Sequence, residues 1–318
     1  MGALDYPGGR KIHEQATPLL GGIAIYLGLL SSVVVERGLL DALSPFFLGA
    51  TAIFALGLAE DIWGVSAQSR FLVQVGVSLV LISMGMRVSF LPSGLLGDAG
   101  EVIITVLWIV GVTNAYNYLD GLDGLAAGSA VINFFFFFLI LYATGQYQIG
   151  FACMAMAAAC LAFLPFNFSR SKIFLGEAGS TLLGFSLAAV SLTGSWSRDN
   201  NPFQVLIPVL VLGVPIFDMI FTTIMRIKEG KVKTIIQWLR YGGTDHFHHY
   251  LVDLGLNPRR AVYFIYSVTF FLGIGAILLS NDDYVTQAIL SLVQASIIFG
   301  GIATLIVVGK RRRSGWEK

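Results

Sequence analysis

Long apolar runs are the feature that most constrains how this chain of 318 residues can fold. Each run is about 17–25 residues long, which is the length of helix that crosses a hydrocarbon layer of about 30 Å. Hydrophobic residues make up 56% of the chain and charged residues only 12%, whereas a soluble domain is about 25% charged. These figures exclude a disordered protein, a disulfide scaffold and almost any soluble enzyme. The sequence therefore predicts an all-α, polytopic integral membrane protein.

We predict about ten transmembrane helices, because backbone polar groups in a bilayer core must find their partners within the protein. The predicted spans are residues 19–35, 44–60, 71–91, 101–118, 125–143, 148–167, 174–194, 203–226, 261–280 and 285–309. The sequence has no internal repeat and no low-complexity linker, so residues 1–318 are interpreted as a single domain. No apolar stretch with a small-residue cleavage site precedes the first span, so we expect no cleaved signal peptide.

The positions of Lys and Arg predict which side of the membrane each connection faces. With the connections assigned alternately to two sides, seventeen of the 20 Lys and Arg residues fall on the side of the N-terminus. Arg37, Arg87 and Arg198 fall on the other side. We therefore expect both termini in the cytoplasm, with the protein in the cytoplasmic (inner) membrane. The cytoplasmic connections carry patterned polar residues and are predicted to form the active face: residues 1–18, 60–70, 114–124, 167–176 and 227–260.

The third of these connections carries two amides and two carboxylates at intervals of three residues, Asn114, Asn117, Asp120 and Asp123. Neighbours at this spacing share a helical face. Their oxygens are hard ligands that suit Mg²⁺. A solvated helix end with turn glycines is the alternative. The functional interpretation is favoured because polar residues at the inner end of an apolar span are costly.

Three further acids lie at the ends of apolar spans. Glu60 and Asp61 are adjacent, so one pKa should rise unless a cation is near, although a simple charged helix end explains them almost as well. Glu177 begins a span, where the helix dipole favours an acid. The exposed amides of such a helix start also suit a phosphate group.

Three of the four histidines lie together, at His246, His248 and His249. Zinc, with Asp245 as a fourth ligand, is the rival interpretation, but one short segment cannot easily close a tetrahedron around the metal. Imidazoles beside Arg and Lys fit a phosphate-binding loop better. Asp218 lies inside an apolar span and is interpreted equally well as a functional acid or as a structural one.

Acids and basic groups on one membrane face indicate a reaction class. Carboxylates for a divalent cation, with basic clamps for phosphates, are typical of phosphoryl-type transfer. No P-loop motif is present in the sequence, so ATP hydrolysis is disfavoured. The competing class is a transporter or carrier of a phosphorylated substrate, which predicts polar residues at mid-membrane and two related halves.

These motifs resemble those of the polyprenyl-phosphate N-acetylhexosamine-1-phosphate transferases, the superfamily that includes the phospho-MurNAc-pentapeptide translocase. The matching segments occur in the expected order at residues 7–13, 17–22, 60–61, 114–128, 174–185, 214–218 and 245–255. The combination of NxxNxxDGxDGL with HFHH is highly specific. The HFHH form is closer to the branch that begins O-antigen, enterobacterial common antigen and teichoic-acid linkage synthesis than to the peptidoglycan branch.

The resemblance implies transfer of an N-acetylhexosamine-1-phosphate, expected to be GlcNAc-1-phosphate, from a UDP-sugar to undecaprenyl or another polyprenyl phosphate. UMP is released, in the first membrane step of a cell-envelope glycan pathway. The implied cofactor is Mg²⁺, with Mn²⁺ as a substitute. Membrane lipid is an expected partner and nucleic acid is not, and the sequence is compatible with a homodimer.

The residue roles implied by the resemblance are as follows. The catalytic acids are Asp61, Glu60, Asp120 and Asp123. The metal ligands are Glu177, Asp120 and Asp123. The substrate-binding residues are Arg10, Lys11, His13, Asn114, Asn117, Arg170, Lys172, His246, His248 and His249.

The sequence departs from the family pattern at two acids. Glu60 stands where the family has the first of two aspartates, and Glu177 stands where the family has Gly-Asp-x-Gly-Ser. Glutamate keeps the charge but adds one methylene group, so the position of a metal ligand must shift. A catalytically inactive relative that binds a UDP-sugar is therefore a further alternative, and Mg²⁺-dependent release of UMP separates it from an enzyme.

Overall fold

A computed structural model describes residues 4–5, 16–168, 171–196, 203–234, 237–238, 241, 243, 245–280 and 284–316. Within these residues the fold is helical apart from a short antiparallel pair, β1 (Leu4–Asp5) and β2 (Thr17–Pro18). The first helices are α1 (Gly21–Val35), α2 (Leu39–Ala42), α3 (Ser44–Trp63), α4 (Ala67–Ser83), α5 (Leu95–Leu119), α6 (Leu125–Ala143) and α7 (Tyr147–Asn167). The remaining ones are α8 (Gly176–Thr193), α9 (Leu206–Val211), α10 (Gly213–Lys228), α11 (Phe247–Asp253), α12 (Pro258–Leu279) and α13 (Tyr284–Trp316).

Six of the described helices are long and apolar enough to cross a membrane: α3, α5, α6, α7, α12 and the segment Val285–Lys310 of α13. Two further apolar helices, α1 and α4, are shorter. The chain is therefore an all-helical, multi-pass membrane protein. Two of the ten predicted spans, 174–194 and 203–226, correspond to α8 and to the pair α9 and α10, which do not meet the same measure of length and apolarity.

Helix α8 is the centre of the fold. Every residue from Ala178 to Ser191 is buried, against α3, α5 and α1. Small residues allow the backbones to approach closely, as is common between membrane helices. A Cβ atom at Gly57 of α3 would lie only 2.6 Å from the Ala178 Cα atom. This packing brings the end of α3 against the start of α8.

The predicted span 203–226 is not one continuous helix, because α9 ends at Val211 and α10 begins at Gly213. Leu212 between them has φ −93° and ψ 17°, outside the α-helical region. Pro215 lacks the N–H group that would bond the Val211 carbonyl, which explains the break. Likewise α4 ends at Ser83, whereas the predicted span extended to residue 91.

Candidate active site

Asp61, in the last turn of α3, caps the first turn of α8. Its Oδ1 accepts a hydrogen bond from the Glu177 amide (2.9 Å) and its Oδ2 accepts one from the Ala178 amide (3.0 Å). The first amides of a helix have no partners within it, so this carboxylate satisfies two of them. The expectation that the start of α8 suits a phosphate group is wrong for these two amides, because Asp61 already accepts their hydrogen bonds.

Glu177 joins three helices through its side chain. Its Oε2 accepts hydrogen bonds from Arg70 Nη1 of α4 (2.5 Å) and from Asn117 Nδ2 of α5 (2.8 Å). Asn117 Nδ2 also donates to Ser180 Oγ, one turn further along α8 (3.0 Å). Asn117 and Glu177, predicted for the same site from distant parts of the sequence, are therefore in direct contact.

Arg70 lies between two acids. Its Nη1 is 3.9 Å from Glu60 Oε1 as well as in contact with Glu177. The Glu60 carboxylate also accepts a hydrogen bond from the Val65 amide, which fastens the turn between α3 and α4. We refer to Glu60, Asp61, Asp120, Asp123 and Glu177 as the carboxylate cluster.

Asp120 is the first residue after α5 and is half-buried. Burial raises the pKa of Asp120 to about 7, and the negative charges of Glu177, Asp61 and Asp123 act in the same direction. The ordinary pKa of an aspartate is about 4. Crowded carboxylates of this kind favour a cationic ligand, because an opposite charge would stabilise their ionised forms.

The turn after Asp120 is held from three sides. Gly124 has φ +77°, a conformation that favours glycine, and its amide donates to Asn167 Oδ1 of α7 (3.0 Å). The Gly124 carbonyl accepts a hydrogen bond from the Tyr266 hydroxyl of α12 (2.5 Å). Asp123 Oδ2 accepts one from the Ser171 amide (3.2 Å). The positions of both aspartates thus depend on Asn167 and Ser171 and on α12.

The first histidine of the cluster belongs to a buried network with α10. His246 Nδ1 lies 3.2 Å from Asp218 Oδ2, and His246 Nε2 lies 3.1 Å from Arg226 Nη2. Arg226 also bonds the Asp245 carboxylate, with Nη2 2.6 Å from Oδ1 and Nε 3.2 Å from Oδ2. We refer to Asp218, Arg226, Asp245 and His246 as the histidine network. Asp218 Oδ1 accepts a hydrogen bond from the Phe247 amide, so each carboxylate oxygen of Asp218 has a partner within the protein.

Residues 246–249, which we call the histidine segment, touch the end of α5. The His246 ring stacks on the Tyr118 ring, with centroids 4.8 Å apart. His248 is fully buried, and a Cβ atom at Gly121 would overlap its Nε2. Among the described residues, neither ring nitrogen of His248 has a hydrogen-bond partner, and burial lowers its pKa to about 3. His249 is half-buried. Two connections that are far apart in sequence therefore meet at one place.

Other predicted site residues lie elsewhere or outside the described part of the chain. Asn114 Nδ2 donates to Gln74 Oε1 of α4 (2.7 Å), so this amide joins two helices. Lys172 is exposed. The predicted residues outside the described ranges are Arg10, Lys11, His13 and Arg170.

The described acids do not form a complete metal-coordination site. Among the described residues, no three His, Cys, Asp or Glu side chains are grouped closely enough to hold a metal ion by themselves.

Comparison with known proteins identifies the family. Residues 43–195 match the model for glycosyl transferase family 4. The chain is 36% identical over 287 residues to the probable undecaprenyl-phosphate N-acetylglucosaminyl 1-phosphate transferase of Bacillus subtilis (strain 168), covering 88% of this chain and 78% of the relative. The chain belongs to glycosyl transferase family 4.

Two further relatives extend the likeness along the chain. The decaprenyl-phosphate N-acetylglucosaminephosphotransferase of Mycobacterium tuberculosis (strain CDC 1551 / Oshkosh) is 30% identical over 348 residues, covering 98% of this chain and 83% of the relative. The undecaprenyl-phosphate alpha-N-acetylglucosaminyl 1-phosphate transferase of Escherichia coli (strain K12) is 26% identical over 272 residues, covering 82% and 72%. The family resemblance drawn from the motifs is thus confirmed.

The segment matched to glycosyl transferase family 4 contains the whole carboxylate cluster, whereas the histidine segment lies beyond it. Sequence analysis missed Arg70 and Arg226 as site residues, although it counted both among the cytoplasmic basic residues. The available signal for Arg70 was its place on the same connection as Glu60 and Asp61. The signal for Arg226 was its spacing from Asp218. The two residues are two turns apart on one helix and so lie on the same helical face.

Proposed function

We propose that this protein transfers GlcNAc-1-phosphate from UDP-GlcNAc to a polyprenyl phosphate such as undecaprenyl phosphate, and releases UMP. The observation that carries the proposal is the meeting of Asp61, Glu177 and Asn117 from three helices, next to Asp120 and the histidine segment. The names of the relatives support the acceptor and the transferred group.

The reaction exchanges one phosphoanhydride bond for another, and the ester between the sugar and its phosphate stays intact. An oxygen of the lipid phosphate attacks the phosphorus that carries the sugar. The bond from this phosphorus to the bridging oxygen of the pyrophosphate breaks, and UMP leaves with the electron pair. Both reactants are anions, so positioning and charge neutralisation supply most of the catalysis.

Asp120, Asp123 and Glu177 are the residues that would hold Mg²⁺, or Mn²⁺ in its place. A bound divalent cation supplies charge neutralisation at the pyrophosphate oxygens. The raised pKa of Asp120 supports this assignment, because a cation would relieve the crowding of negative charge. Mg²⁺ usually binds through one or two carboxylates together with waters and substrate phosphates, which agrees with carboxylates that do not form a cage by themselves.

We assign Asp61 to orient or deprotonate the lipid phosphate, with Glu60 beside it. Each Asp61 oxygen accepts one amide hydrogen bond and keeps a second lone pair for a substrate group. Asn117 is assigned to the nucleotide side. Of the predicted basic residues for phosphate binding, Lys172 is exposed and His249 is half-buried, and we assign these two to bind phosphates. Arg10, Lys11, His13 and Arg170 complete the proposed basic clamp.

The proposed topology has ten membrane-crossing segments, with α9 and α10 together forming one of them, and both termini in the cytoplasm. The concentration of seventeen Lys and Arg residues on one side supports a cytoplasmic active face at the inner membrane. The contacts that join all five connections support their placement on one side of the membrane.

The test is release of UMP by the purified full chain in detergent, supplied with undecaprenyl phosphate, UDP-GlcNAc and Mg²⁺. Parallel reactions omit the lipid, replace Mg²⁺ with EDTA, or replace UDP-GlcNAc with another UDP-N-acetylhexosamine. We expect release that requires both the lipid and the metal and is fastest with UDP-GlcNAc.

Two other outcomes would reject parts of the proposal. Release without lipid indicates a hydrolase rather than a transferase. Binding of UDP-GlcNAc without release, with every UDP-N-acetylhexosamine tried, indicates an inactive relative and directs attention to Glu60 and Glu177.

A further inference from the structure

We propose that Asp218 and Arg226 are positioning residues that hold His246 as a neutral ring with its proton on Nδ1, and so set the place of the histidine segment. The kinetic part of the test rests on the proposed function, whereas the spectroscopic part does not. His246 is then an internal support of the site rather than a group that binds phosphate.

The neighbours of His246 assign its proton. Arg226 Nη2, 3.1 Å from His246 Nε2, is a donor and cannot accept, so Nε2 must supply a lone pair. Asp218 Oδ2, 3.2 Å from Nδ1, is an acceptor, so Nδ1 must carry the proton. Both ring nitrogens thus have hydrogen-bond partners within the protein, and the residue is only 6% exposed.

Asp218 also anchors the start of α11. Its Oδ1 accepts a hydrogen bond from the Phe247 amide (2.7 Å), the first amide of that helix. One carboxylate therefore holds both the backbone and the side chain at the entrance to the histidine segment.

Arg226 is held so that it cannot turn away from His246. It is 1% exposed and its guanidinium makes three hydrogen bonds with the Asp245 carboxylate. The same guanidinium lies over the Tyr241 ring, 4.7 Å from the centroid. The planar fork of donors in arginine is suited to such a fixed arrangement.

The network reaches the carboxylate cluster through ring contacts. Tyr118, which stacks on His246, lies on α5 between Asn117 and Asp120. The His248 ring is nearly parallel to the His246 ring, with centroids 6.1 Å apart, and abuts Gly121. Rotation or a change of tautomer at His246 would therefore displace side chains on both sides of the site.

The substitution Asp218→Asn tests this because it keeps the size of the side chain but adds a donor. If the new amide faces His246, the ring must move its proton to Nε2, where Arg226 also donates. If the amide is turned round, it faces the Phe247 N–H group, which is another donor. Either orientation leaves two donors opposed in a buried place, which is costly.

The experiment uses the full chain labelled with ¹⁵N-histidine, whose ring signals distinguish the two neutral tautomers. Four histidines contribute, and His13→Asn and His249→Asn identify two of the signals. Of the two remaining rings, we expect one to be neutral with the proton on Nδ1. The same preparations give KM and kcat for UDP-GlcNAc, with Asp41→Asn, an exposed acid on α2, as the matched control.

For Asp218→Asn we expect a rise in KM of about tenfold or more, larger than the fall in kcat, in either orientation of the new amide. The Nδ1–H signal is lost if the amide faces His246 and is kept if the amide faces Phe247. Asp41→Asn should change neither KM nor the ring signals. Folded Asp218→Asn protein with an unchanged KM overturns the proposal.

If Asp218→Asn does not purify as a folded protein, the wild-type spectrum alone tests the proposal. The proposal is overturned if neither of the two remaining rings is an Nδ1–H tautomer. If the wild type transfers no sugar phosphate, the proposed function is rejected. The proposed tautomer of His246 is then tested by the spectrum alone.

Discussion

The carboxylate cluster and the histidine network both contain acids whose pKa burial acts to raise, but their charges are balanced differently. Burial raises the pKa of Asp120 to about 7, and its acidic neighbours add to this effect. Burial also acts to raise the pKa of Asp245, but the hydrogen bonds and charge of Arg226 outweigh it and hold that pKa below its ordinary value. In the first region Arg70 pairs with Glu60 and Glu177 but the pKa of Asp120 stays raised. In the second region Arg226 outweighs the burial of Asp245.

This difference in charge balance indicates which region is suited to bind a ligand. Acids that are crowded and under-compensated are typical of functional sites. A buried ion pair with a full set of hydrogen bonds contributes instead to a defined geometry, and removing one partner is strongly destabilising. We therefore expect substitutions in the carboxylate cluster to affect mainly activity, and substitutions in the histidine network to affect stability as well.

The largest expected effect on activity is that of Asp61→Asn. The asparagine amide would oppose one N–H group of α8, and the charge proposed to act on the lipid phosphate would be lost. We expect UMP release to fall by about 100-fold or more. Asp41→Asn is the matched control. Retention of near-wild-type turnover would remove Asp61 from the mechanism.

Arg226→Met should give the largest loss of stability. It removes the guanidinium and leaves the Asp245 carboxylate buried without its main partner, at an expected cost of about 3–5 kcal/mol. The free energy of unfolding is measured by titration with SDS in mixed micelles. Lys228→Met, which changes an exposed charge on the same helix, should have little effect. A loss equal to that of the control would show that the network does not stabilise the fold.

Gly57→Val tests the link between packing and the carboxylate cluster. Gly57 lies one turn before Asp61, and its Cα faces the α8 backbone, so added methyl groups would force the two helices apart. We expect a loss of about 1–3 kcal/mol in the free energy of unfolding, together with reduced transfer. Gly76→Val on α4 is the control, because no atom lies within 4 Å of a Cβ added there. Equal effects at the two glycines would contradict the role given to the α3–α8 contact.

The smallest effect is expected for Glu229→Gln, at the edge of the histidine network. Glu229 pairs with Lys231 (2.6 Å) and Lys310 (2.8 Å), but its side chain is 30% exposed. Partly exposed ion pairs contribute about 0–1 kcal/mol, so unfolding in SDS should change by no more than this. A loss of unfolding free energy as large as that of Arg226→Met would show that the network extends to the surface. The two regions would then differ less than we propose.

The motifs alone identified the family and all five members of the carboxylate cluster, and Asn117 beside them. Asp61, Asn117, Asp120, Asp123 and Glu177 could be chosen because acids and amides at the ends of apolar spans are costly unless they have a function. The same reasoning could not separate Asn117, which contacts Glu177, from Asn114, which contacts Gln74. The two share a spacing pattern, and only the neighbouring helices decide what each one touches.

The apolar runs suffice to predict a helical chain that crosses the membrane several times, because they have the length that a bilayer requires. The pattern of residues does not reveal that Asp61 caps a helix 116 residues later, that Arg70 lies between two acids, or that His246 is bonded to Asp218 and Arg226. These contacts depend on the packing of the helices, because hydrogen bonds of side chains act over about 3 Å. Their partners are therefore set by how closely the helices pack, as at Gly57 and Ala178, and not by distance along the chain.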